Sequence, residues 1–226
     1  MNRRTTLKYA FAGIAAIALT LGVGWWRVDG PGAPEQTGLR PIALSEMEFL
    51  LSDHEGDEVG PETLMGRPTM VFFGFTYCPD VCPTTLSDIS GWLDDLGEEA
   101  EGMNVVFITV DPERDTVEAM AEYVGYFHPL IRGWTGLEEE IARAAQGFRA
   151  RYERVPTEGG EYTMNHTASV FLFDAEGRFT TMIDYHEPRE FAVPKIRRAL
   201  NRGTEGATLE LEQSRQVSQS YRWAGW

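Results

Sequence analysis

Two continuous apolar runs, TMVFFGF at 69–75 and NVVFITV at 104–110, constrain this chain most. Neither run alternates polar with apolar residues, so each reads as a strand buried on both faces of a sheet. The segment between them, PTTLSDISGWLDDLG at 83–97, places Leu86, Ile89, Leu93 and Leu96 at helical spacing. Pro83 is tolerated there because the first turn of a helix has no N–H partner to lose. Strands joined through a helix lie parallel, and the crossover is right-handed. The centre of the chain is therefore α/β.

The rest extends that core. MEFLLSD, near 47–53, reads as a further strand. DTVEAMAEYVGYF, 115–127, reads as a helix with Asp115 and Glu118 in the pattern of a capping box, and LEEEIARAAQGF, 137–148, as another. ASVFLFD at 168–174 and RFTTMID at 178–184 flank Glu176-Gly177 and predict a β-hairpin. REFAVPKIRRAL, 189–200, closes the domain as a helix that Pro194 kinks or delays. The order β-α-β-α-(α)-β-β-α is that of a thioredoxin-like fold, a central mixed sheet flanked by helices.

The flanks read differently. Tyr9 to Trp26 contains no charged residue, and Arg3, Arg4 and Lys8 precede it. A spanning helix needs about 20 apolar residues and at least about 17. The two tryptophans at its end suit a membrane interface, and the preceding cations suit a cytoplasmic start. A cleaved signal peptide would have a shorter apolar run and small residues at the cleavage site. We read residues 1–8 as a basic cytoplasmic segment, 9–26 as one N-terminal transmembrane helix, 27–41 as a Gly/Pro-rich linker, 42–202 as the folded domain and 203–226 as a polar tail. This places the domain on the periplasmic side of an inner membrane. The formal charge of −15 argues against nucleic acid as a partner.

Both cysteines of the chain, Cys78 and Cys82, lie in FGFTYCPDVCPTT, which starts at Phe73. In an exported domain, a structural disulfide is the plain reading of such a pair. The position argues for more. The cysteines follow a buried strand and precede a helix N-terminus, at the edge where α/β sheets bind ligands. That helix end stabilises thiolates. The strand at 168–174 runs against the parallel pair, so the residues before it, including His166, are expected at the same edge. His54, His128 and His186 are read as surface or capping residues, His186 at the far end of the hairpin. His166 has two readings: a third metal ligand, or a loop residue bonded to backbone. Two thiolates and an imidazole suit copper, and zinc normally takes a fourth ligand. Asp111, which ends the second buried strand, is read either as facing the site or as turning the chain with Pro112. Asp80 either tunes a metal or orders the loop, and Tyr77 either walls the site or packs.

FGFTYCPDVCPTT, VDPERDT and NHTASVFLFDAEGRF resemble the signature stretches of the Sco/SenC family in order and spacing across residues 40–200. Thr167 stands where that pattern has a serine. The resemblance implies Cys78, Cys82 and His166 as copper ligands, for Cu(I) and also Cu(II). It implies a membrane-tethered metallochaperone rather than an enzyme, with the copper-bearing subunit of cytochrome c oxidase as partner and other copper chaperones or thiol reductants upstream. The alternative is a thiol–disulfide oxidoreductase cycling Cys78 and Cys82. Peroxide reduction is weaker, because no peroxide-activating motif is present.

Overall fold

The computed structural model describes residues 40–202 together with Thr20. The expected basic segment, the expected linker except for its last two residues, the expected tail and all of the expected anchor but Thr20 lie outside the described residues. No helix among the described residues is long and apolar enough to cross a membrane.

The folded unit is a seven-stranded mixed sheet with helices packed on it. The strands are β1 (Leu51–Asp53), β2 (Glu58–Val59), β3 (Thr69–Gly74), β4 (Asn104–Thr109), β5 (Ile131–Thr135), β8 (Val170–Phe173) and β9 (Phe179–Ile183), in the order β2-β1-β5-β4-β3-β8-β9. A separate two-stranded ribbon pairs β6 (Tyr152–Pro156) with β7 (Tyr162–His166). Helix α1 (Val81–Leu96) joins β3 to β4, and α2 (Val117–Val124) joins β4 to β5. Helix α3 (Glu138–Phe148) follows β5, and α4 (189–202) follows β9.

The two apolar runs are the centre of this sheet. β3 pairs parallel with β4 over six residues, and all six residues of β3 are buried. β3 pairs antiparallel with β8 on its other side, as the hairpin reading requires. β5 was not anticipated. It pairs parallel with β4 and antiparallel with β1, so 115–127 is a crossover helix. Its sequence, IRGWT, is too short and mixed to carry a strand signal of its own. The β1 strand is shorter than MEFLLSD, and α4 runs through Pro194 without interruption.

Aromatic packing fixes α3 to the sheet. Phe148 is fully buried, with ring centroids 5.4 Å from Phe73, 5.5 Å from Phe173, 6.1 Å from Phe171 and 6.2 Å from Phe49. Side chains of this size each contribute about 1.5–3 kcal/mol by leaving water. Phe72, one residue along β3, turns to the other face and stacks on its cross-strand partner Phe107.

The hairpin's direction corrects one expectation. β3 ends at the functional edge, so antiparallel β8 begins there and β9 returns there, with Val170 opposite Ile183. His186 therefore follows the near end of β9, not the far end. Two reversals of direction cancel.

Candidate metal centre

Cys78 sits in the turn after β3, where its N–H donates to Phe75 O at 3.2 Å. Cys82 is the second residue of α1, behind the N-terminal Asp80. The Asp80 side chain is exposed and makes no cap hydrogen bond. Cys78 does the capping instead: its Sγ accepts the free N–H of Cys82 at 3.3 Å. Three residues between the cysteines are what allow this i to i+4 contact. Both stand as free thiols.

The two thiols are electrostatically unlike. Cys78 is held down to about 4, first by its hydrogen bond with Cys82, then by His166 and the backbone N–H groups of Asp80 and Cys82, against a desolvation penalty. Cys82 is pushed up, first by that same contact with Cys78 and then by burial. One proton is shared by the pair, and it stays on the buried sulfur.

The loop that carries Cys78 is braced from below. Asp115, fully buried, accepts Thr76 N–H at 3.0 Å, Thr76 Oγ1 at 2.5 Å and Thr109 Oγ1 at 2.6 Å. Burial pushes its carboxyl pKa up, and these donors work against that. Asp115 therefore does not cap α2. Thr116 does, with its hydroxyl accepting Ala119 N–H at 3.3 Å. Gly74 is required just before the loop: a Cβ there would lie 2.7 Å from Cys82 Sγ and 2.7 Å from Phe107 Cε2.

His166 arrives on different architecture from that expected. It is the last residue of β7, not part of an irregular loop before β8. Its Nε2 lies 3.3 Å from Cys82 Sγ, and its Nδ1 lies 3.0 Å from Thr167 O. A carbonyl only accepts, so Nδ1 carries a proton, and Nε2 is the nitrogen turned toward the sulfurs. Phe72 and Phe75 meet the imidazole edge-on at 6.0 and 5.9 Å. An open groove of about 700 Å³ between α3 and the ribbon includes His166 in its lining. The ligand atoms of Cys78, Cys82 and His166 all lie within 4.8 Å of one another, close enough to share one ion.

The other candidates sort by contact. Asp111 is buried and its carboxylate is engaged by Arg114 Nε at 2.5 Å and Tyr162 OH at 2.9 Å. Its carbonyl accepts the N–H groups of Arg114 and Asp115, so it also turns the chain. Tyr77 is 65% exposed beside Cys78 and packs on Arg114 rather than in the core. His54 and His128 accept backbone N–H groups of Gly133 and Leu130. His186 is exposed with φ 59°, its ring 3.9 Å from that of Tyr185. Asp53, Glu55 and Asp57 also cluster, but Arg132 pairs with the first two at 2.7 and 2.8 Å, and Asp53 folds the turn by accepting Glu55 and Asp57 N–H.

Comparison with known proteins agrees with this geometry. The SCO1/SenC family model matches residues 39–201. The chain belongs to the SCO1/SenC family. The mouse mitochondrial protein SCO2 homolog is 36% identical over 187 residues, covering 78% of this chain and 73% of that protein. Its zebrafish counterpart is 39% identical over 151 residues, covering 66% of this chain and 53% of that protein, so the chain spans about half of the latter. Among solved structures, Bradyrhizobium japonicum ScoI with copper bound is 40% identical, has a TM-score of 0.64, and is matched over 71% of this chain and 99% of its own. The Sco fold is thus shared across the domain.

Proposed function

We propose that this Sco protein is a copper carrier, binding copper through Cys78, Cys82 and His166 and passing it to the dinuclear copper site of cytochrome c oxidase during assembly. The observation that carries the reading is the convergence of two sulfurs and one imidazole nitrogen within 4.8 Å. That donor set is soft, low in coordination number and free of carboxylates, which suits Cu(I). The copper-bound relative supports the same cargo. Cys78 is already a thiolate at neutral pH, so loading displaces only the proton of Cys82. Low coordination leaves room for an incoming partner ligand, so transfer proceeds by stepwise exchange. The cysteines must be reduced to bind, which couples loading to an upstream thiol reductant. In this reading residues 9–26 tether the domain to the inner membrane.

The test is Cu(I) titration of the reduced full-length chain against a competing chelator. The wild type is expected to bind a single Cu(I). His166→Ala is expected to lose at least about tenfold in affinity, the lower end of what even the outer partners of a metal site cost when removed. Unchanged affinity in that variant would remove His166 from the site. Turnover of a dithiol substrate by copper-free protein would favour the oxidoreductase alternative.

A further inference from the structure

Arg114 lies in the stretch VDPERDT, where the sequence alone assigns it no role, yet it touches both halves of the site. Its guanidinium lies 4.8 Å from the ring of Tyr77, the residue before Cys78, and 5.9 Å from that of Phe75, which packs on His166. On the other side it lies 3.9 Å from the ring of Tyr162, four residues before His166 on β7, and Nη1 donates to Tyr162 O at 3.2 Å. Nε is fixed on Asp111 Oδ2 at 2.5 Å, and the Tyr162 hydroxyl donates to the other oxygen of the same carboxylate at 2.9 Å. The side chain is 19% exposed, and Nη2 is buried without a hydrogen-bond partner among the described residues. A planar cation is thus held inside an aromatic cage, at the expense of one donor, with both ends of the cage belonging to the metal centre.

We propose that Arg114 is a positioning residue that clasps the histidine-bearing ribbon against the cysteine loop. It does not touch the metal. The two sides it joins are held very differently. The cysteine loop is independently fixed by Asp115 and by the start of α1. The ribbon has two strands, of which only Met164 is buried, and a two-stranded ribbon is marginal without outside support. Loss of the clasp therefore releases His166 and leaves the cysteines in place.

The inference rests on the copper reading, and a double-mutant cycle separates the two. Cu(I) affinity of the reduced full-length chain is measured by chelator competition for wild type, Arg114→Ala, His166→Ala and the double variant, with circular dichroism confirming the fold. Arg114→Ala alone is expected to weaken Cu(I) binding about tenfold, the scale of outer partners that orient a ligand. In the His166→Ala background the same change is expected to cost less than about twofold, within ordinary additivity error. A tenfold loss that persists without His166 would overturn the proposal, because a general structural role predicts it. So would wild-type affinity in Arg114→Ala while His166→Ala is weakened, and that outcome leaves the copper site itself intact. Unchanged affinity in His166→Ala would instead fail the three-ligand reading. Arg114→Lys keeps the charge but not the fork or the stacked plane, so it is expected to behave like Arg114→Ala. Full recovery with lysine would show that charge alone matters and would also overturn the clasp. Should Arg114→Ala not fold, the same cycle with Arg114→Lys carries the test.

Discussion

Cys82 is fully buried in the first turn of a 16-residue helix, on a sheet whose central strand exposes nothing. His166 ends a five-residue strand of a ribbon that sets one side chain, Met164, into the core. The site therefore joins a fixed sulfur pair to a nitrogen held by local contacts: the Asp111–Arg114–Tyr162 cluster, the latch of Thr167 on Arg151 and the ion pair of Arg154 with Glu113. The carrier role proposed above would use this inequality: the thiols would retain the metal, and the weaker arm would yield a coordination position to a partner. Perturbations on the sulfur side should alter stability and thiol chemistry. Those on the ribbon should alter geometry while the fold stays.

The largest effect concerns the thiols' reactivity. With Cys78 held at about 4 and Cys82 pushed up, iodoacetamide at pH 5.5 should modify Cys78 and spare Cys82. A free thiol near 8.5 is about 0.1% ionised at that pH, and the gain in thiolate outweighs the lower nucleophilicity of a weak base by about tenfold. Mass-mapped rates should therefore exceed those of a free cysteine by about that factor and level off above about pH 5. The same shift has a stability consequence. A depressed folded-state value favours the fold fully above the unfolded thiol's value and loses that contribution as pH falls from about 8.5 toward about 4. Between pH 5 and 8 the reduced protein should thus gain stability with pH relative to Cys78→Ser, in urea melts. Cys82 opposes this only above about 8.5, where the unfolded chain would lose its proton.

Next in size is Gly74→Ala. The added methyl would meet the Cys82 sulfur and the Phe107 ring, both at 2.7 Å, and neither neighbour is a flexible chain end. Overpacking of this kind costs about 1–3 kcal/mol. The urea midpoint should fall accordingly, and Cu(I) affinity with it, because the sulfur must move. A fully stable variant with native affinity would show that the sulfur side is less rigid than its burial implies.

The same inequality explains what could be read from the residues alone. The long apolar runs at 69–75 and 104–110 and the periodic helix between them dictate the sheet's centre, since nothing else buries such runs. Cys78 and Cys82 follow from them by position. The ribbon was missed because neither strand has an apolar face: YERVP and YTMNH alternate weakly, and burial does not enforce their register. The usable signal was Gly159-Gly160, with φ 86° and 85°, a glycine pair that reverses the chain between two such runs. His166 was placed at the correct edge for an incomplete reason, by the direction of β8 rather than by its own strand. The bracing roles of Arg114 and Asp115 were not legible: the sequence reads Asp115 as part of a capping box, and it holds Thr76 instead. The contacts that give them their roles, Asp115 with Thr76 and Arg114 with Tyr162, span 39 and 48 residues, and no spacing rule connects them.

The smallest effect belongs to the ribbon's base. The Thr167 hydroxyl accepts Arg151 N–H at 2.9 Å, while Thr167 N–H donates to Arg151 O at 2.9 Å, so the pair closes the ladder beyond Tyr152 and His166. Thr167→Val removes one of these bonds at a partly exposed position, where the net loss is about 1 kcal/mol or less. Thr167→Ser keeps the hydroxyl and should be close to neutral, which fits the serine of the family pattern. Global urea melts would barely register either change. Amide hydrogen exchange would, because it resolves local opening. The amides of β6 and β7 should exchange several-fold faster in Thr167→Val, while those of β3 and β4 stay as in the wild type. Equal acceleration in both regions would mean that ribbon and sheet open as one unit, and the contrast between a fixed pair and a yielding arm would be lost.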